Sequence, residues 1–98
     1  MNKLAKYKNI ITMDGCTVDV STQWTYFSAN VTQGERGVGD VIVTYDRKQQ
    51  HQNLIKVNGH NGFSGIDEVE QKIKDLQVLK KIYLMLVGYC DEVFYNET

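Results

Sequence analysis

The stretch VNGHNGFSGIDEVEQ (residues 57–71) decides how this chain is divided. Gly59, Gly62 and Gly65, with Asn58 and Asn61, interrupt any regular backbone. Directly after them, Ser64-Gly65-Ile66-Asp67 has the S-x-x-D form of a capping box. Asp67, Glu68 and Glu70 then suit the positive end of a helix. Such a loop either cradles a phosphate or hinges a sheet to a helix. A phosphate loop needs G-x-x-x-x-G-K-[S/T], with a lysine to reach the phosphates. Gly59 to Gly65 has neither the spacing nor the lysine, and carboxylates already occupy the helix start. The stretch therefore reads as a hinge over residues 58–64, with Gly59 and Gly62 at positive φ. His60 and Asn61 are its ligand-facing candidates.

Downstream, a helix is expected over residues 65–90, fraying from Gly88, followed by a tail over 91–98. Ile66, Val69, Ile73 and Leu76 follow 3-4-3 spacing as a single apolar stripe. Beyond Leu76 the apolar residues cover most of the circumference. At 1.5 Å per residue the helix outruns a strand of ordinary length, so its far half needs a second cover. Val78, Ile82, Met85 and Leu86 are the expected contacts of a homodimer. The competing cover is the tail, through Val93, Phe94 and Tyr95 or as a short added strand.

Upstream, residues 8–57 read as five strands. Asp14-Gly15 between two β-prone arms predicts a two-residue hairpin turn. In QWTYFSANVTQ (residues 23–33) the alternation puts Thr25, Phe27, Ala29 and Val31 toward the core, and Trp24 and Tyr26 on the opposite face. GERGVG (residues 34–39) reads as a flexible connection, and residues 40–46 as a strand with Val41, Val43 and Tyr45 on one face. A polar turn over 47–53 precedes a short strand at 54–57. Short connections between successive strands predict an antiparallel meander. The expected fold is α+β: a five-stranded antiparallel sheet with one long C-terminal helix across one face, in a single domain of 98 residues.

Composition bounds function. The formal net charge of −1 disfavours a duplex-DNA binder, which carries a basic excess. The basic N-terminus lacks the apolar run of a signal peptide, and no segment is long enough to span a membrane. A cytoplasmic protein with Cys16 and Cys90 as reduced, buried thiols is expected. No zinc or thiol-redox spacing appears, His51 reads as a solvated turn residue, and no cofactor is expected.

Three functional classes compete. Trp24, Tyr26, Arg36, Arg47 and Lys48 are the residue types of a protein-binding hot spot. They also suit stacking of single-stranded nucleic acid, which the net charge disfavours. The leading expectation is a small non-enzymatic protein that blocks or regulates a larger protein partner. Phage and mobile-element inhibitors of host defence (anti-CRISPR-like proteins) supply an analogy of class in size and lack of motif. The second class is an oligomeric binder of a small anionic ligand such as a nucleotide, through Gly34, Arg36, Gly37, His60 and Asn61. The third is a small metal-dependent nuclease using Asp40, Asp46 and Lys48, a carboxylate followed by D-x-K. Asp40 and Asp46 end opposite ends of one strand, so Asp14 or Asp19 would have to complete such a site.

Overall fold

The computed structural model describes residues 4–59 and 62–95. Five strands pair in sequence order, all antiparallel: β1 (Asn9–Met13), β2 (Cys16–Thr22), β3 (Tyr26–Gln33), β4 (Arg36–Thr44) and β5 (Leu54–Val57). One helix, α1 (Ile66–Cys90), covers one face, so the fold is the expected α+β meander and helix. The Asp14-Gly15 turn closes the first hairpin, with φ of 52° and 80° at its two residues. Gly59 and Gly62 take positive φ, as a hinge requires. His60 and Asn61 lie outside the described residues.

The period-2 pattern reads out directly. Val18, Val20, Phe27, Ala29, Val31, Val41 and Val43 point to the helix side and are buried. Cys16 and Cys90 are buried and unpaired, as expected. The Cys90 thiol, 3.7 Å from the Thr44 carbonyl oxygen, is pushed up to about 11 by burial and then by Asp91.

Four local expectations need correction. Residues 34–39 are not a flexible connection. Gln33 pairs with Arg36 across a tight turn at Gly34 (φ 63°), and β4 already runs from Arg36. The register shifts beside Val31 and Thr32, a bulge that leaves Val38 and Gly39 both buried. Gly39 serves packing: a Cβ there would overlap the Lys56 carbonyl oxygen and stand 2.9 Å from Leu79 Cδ1. Next, the polar segment after β4 is a 3-10 helix (Arg47–Gln52), opened by Asp46 accepting from the Lys48 amide. Third, the helix starts one residue later than the Ser64 box implies. Gly65 occupies its N-cap, and Glu68 rather than Asp67 reaches back, accepting from the Ser64 amide at 2.6 Å.

The fourth correction concerns the chain end. α1 passes through Gly88 to Cys90, and residues Asp91–Tyr95 continue as a wider π-type turn, not a strand. Packing sustains it. Tyr89 meets Tyr7, whose hydroxyl donates to Glu92 at 2.9 Å, while Phe94 stacks on Tyr45 with ring centres 4.6 Å apart. Together with Tyr45 and Phe27 these rings close one end of the core.

The direction of α1 follows from the connection. β5 runs back along β4 and ends at Val57, and α1 begins at Ile66. The helix then returns along β4, with Leu79 over Gly39 and Cys90 beside Thr44. Its buried residues begin at Asp75 and continue through Val78, Leu79, Ile82, Leu86 and Cys90. Val78, Ile82 and Leu86, expected at a subunit contact, are thus inside the chain's own core, and Met85 packs half-buried against it. The helix does outrun the sheet, but at its N-terminal end. That overhang is reflected in a long axis of 50 Å against 26 and 21 Å for the other two.

Candidate interaction surface

The sheet presents two features away from the core: its open face and the end that carries the β2–β3 turn. The turn consists of Gln23, Trp24 and Thr25. Both neighbours of the tryptophan are tied to the framework. The Gln23 amide donates to the Tyr26 carbonyl at 2.8 Å, and the Tyr45 amide donates to the Thr25 carbonyl at 2.9 Å. The Tyr45 hydroxyl adds a bond to the Gln23 carbonyl at 2.7 Å. Trp24 therefore stands on a fastened three-residue turn with 97% of its surface in water. Strand alternation cannot place it on a sheet face, because it lies outside the strands. Thr25 is likewise exposed in this turn, not in the core.

Tyr26, the first residue of β3, sits half-buried beside a shallow depression of the open face, about 410 Å³ in volume. Asp19, Asn30, Asp40 and Lys56 form one cross-strand row there, and Asn30 donates to Asp40 at 2.8 Å. At the Trp24 end, Arg47 is engaged within the chain. It donates to Asp91 at 2.7 Å and lies over the Tyr95 ring at 4.0 Å, and its amide donates to the Tyr95 hydroxyl. Lys48 is exposed on the same 3-10 segment.

Arg36 lies at the other end of the sheet, in the β3–β4 hairpin. Its guanidinium grips Asp75 through two bonds of 2.8 and 3.0 Å and also donates to Gln33 at 2.7 Å. Gln71 donates to the same carboxylate at 3.0 Å. The Arg36 bonds hold the Asp75 carboxyl below its ordinary value, against the upward push of burial. Arg36 is thus a clamp between hairpin and helix. The expected five-residue set divides into Trp24, Tyr26, Arg47 and Lys48 at one end and Arg36 at the other.

Gly34, Arg36 and Gly37 stand together at the hairpin, where Asp75 neutralises the guanidinium and Asn58 packs against Gly37. Asp46 caps the 3-10 segment, Asp14 pairs with Lys81 at 2.8 Å beside the helix, and Asp19 is two strands from Asp40. Two strand spacings are roughly 10 Å, too far for two carboxylates to share an ion directly. Among the described residues, no three His, Cys, Asp or Glu side chains are grouped to hold a metal ion. Also among them, no helix is long and apolar enough to cross a membrane.

The Tyr95–Arg47–Asp91 cluster could not be foreseen from local pattern, because Arg47 lies 44 or more positions from its two partners. Comparison with known families, characterised proteins and solved structures finds no match for this chain.

Proposed function

We propose that this protein is a non-catalytic binding protein that blocks or regulates a larger protein partner, with Trp24 as its anchor. The supporting observation is the exposure of Trp24 on a turn whose neighbours are both hydrogen-bonded to the sheet. An aromatic ring held in place before binding loses little conformational freedom on docking. Tryptophan and tyrosine are also the residue types that dominate binding hot spots. Tyr26, at the start of β3, supplies apolar area next in the chain, and Lys48, exposed on the 3-10 segment, supplies a rim charge.

A protein partner is favoured over nucleic acid for two reasons. The net charge is −1, and Arg47 already satisfies Asp91 and stacks on Tyr95. The anionic-ligand reading loses support because Arg36 is bound to Asp75. An inhibitor of the kind carried by phages is the class this reading suits, by analogy of size and chemistry alone.

The test is to purify the tagged chain from its native host and weigh the complex intact. A stoichiometric protein partner is expected with the wild type. Trp24→Ala should lose that partner while its melting temperature stays that of the parent. Retention by a Trp24→Ala/Tyr26→Ala double variant would move the site elsewhere, and a bound nucleotide in place of a protein would replace this reading with the ligand-binding one.

A further inference from the structure

The side of α1 turned from the sheet carries a second pattern, of which Tyr83 and Val87 at its far end also pack against the core. Ile66, Val69, Ile73, Leu76, Lys80, Tyr83 and Val87 recur at alternating steps of three and four, the spacing of a coiled-coil seam. The core face is made by other residues, Asp75, Val78, Leu79, Ile82 and Leu86. Along the outward side Ile66 is 69% exposed, Ile73 50%, Leu76 44% and Leu84 57%. Phe63, just before the helix, is exposed as well. These side chains leave roughly 500 Å² of apolar surface in water, at the upper end of what a monomer carries. Two such faces together approach the roughly 1,000 Å² that a specific interface must clear.

Charge says what fits there. The first turns of α1 hold Asp67, Glu68 and Glu70, with Lys72 engaged by the Asn58 carbonyl and Asp75, and the later turns hold Lys74, Lys80 and Lys81, the last paired with Asp14. A parallel copy would set acid against acid and base against base. An antiparallel copy sets each acidic start against the partner's basic stretch. We propose that the outward face of α1 is the seam of a homodimer, occupied by a second copy of this chain running antiparallel. The two-fold axis crosses at the level of residue 75. Ile66 then meets the level of Leu84 in the second copy, Glu70 meets the level of Lys80, and Ile73 and Leu76 pack about the axis. Such a seam is self-complementary, as a closed two-fold contact must be. It leaves the Trp24 end of the sheet uncovered and does not depend on the function proposed for it.

Sedimentation of the purified chain across the micromolar range tests this. The wild type should move from one chain mass to two as concentration rises. Ile73→Glu, at an exposed position that the fold does not need, should keep the wild-type helix content and remain a monomer. Glu70→Lys and Lys80→Glu should each weaken association by roughly threefold or more, since each removes two symmetric pairs. The combination of both should restore it. A wild type that stays monomeric throughout, an Ile73→Glu variant that still dimerises, or a double variant no tighter than its singles would overturn the proposal.

Discussion

The two halves of α1 make the sharpest contrast in the molecule. From Asp75 to Cys90 the helix lies on the sheet and supplies Leu79, Ile82 and Leu86, all fully buried. From Ile66 to Lys74 it overhangs, and not one residue is buried. Both halves carry apolar residues at helical spacing, and the stripe Ile66-Val69-Ile73-Leu76 is the tidier pattern of the two. It is nevertheless the tidier stripe that faces water. Periodicity therefore locates a helix and its faces. It does not say which face the rest of the chain covers. That is decided by where the helix lies against the sheet, and the first of its residues to be buried is Asp75.

The contrast is tested most strongly from the buried side. Leu86→Ala should destabilise the fold by about 3 kcal/mol, the cost of lost burial plus that of the cavity left behind. Chemical denaturation should show it as a lower midpoint with little change in slope. A loss below about 1 kcal/mol would mean that the C-terminal half is not packed as described.

The boundary between the halves is the Arg36–Asp75 clamp. Arg36→Met should cost about 2 kcal/mol at neutral pH, because a buried carboxylate is left with Gln71 and Lys72 alone. That figure is set below the usual cost of breaking a buried pair, since Arg36 is itself partly exposed. The pH dependence gives the sign. In the wild type Asp75 titrates below its unfolded value of about 3.9, so the clamp's contribution is complete above that pH. It is lost as pH falls through the lowered folded value. In the variant, burial no longer has Arg36 to oppose it. The deficit should therefore shrink as the medium is acidified, measured as the difference between the two midpoints at each pH. A deficit constant with pH would show that Asp75 does not respond to Arg36.

The smallest effect belongs to the overhang. Ile73→Ser, measured at a dilution where self-association is absent, should change stability by no more than about 0.5 kcal/mol, as exposed substitutions do. A loss as large as that of Leu86→Ala would place Ile73 in a core and erase the contrast.

Particular elements show what could be read in advance. Asp14-Gly15 announces its hairpin because a two-residue turn needs positive φ at both positions, a local demand written in two letters. The alternation through Phe27, Ala29 and Val31 names its buried face because the pleat has a period of two. The glycines at 34, 37 and 39 mislead. Their composition resembles a loop, yet Gly39 is required by the approach of Leu79 and the Lys56 carbonyl. Trp24 and Tyr26 were nameable as candidate contacts from residue type, but the turn that presents Trp24 is fastened by Tyr45, distant in sequence. Arg36 and Arg47 were nameable as charges, whereas their engagement by Asp75 and Asp91 was not.

Local pattern was enough to specify the antiparallel order of the strands, the Asp14-Gly15 turn and the existence of α1. Each rests on interactions between near neighbours: turn geometry, pleat alternation, helical spacing and the charges at a helix start. Which end of α1 hangs free, which arginine is a clamp and which apolar residues meet water were not legible there. Those outcomes depend on contacts between segments far apart in the chain, such as Arg36 with Asp75, Leu79 over Gly39, and Tyr7 with Tyr89 and Glu92. A residue's type is fixed locally, but its burial depends on what the rest of the chain brings against it.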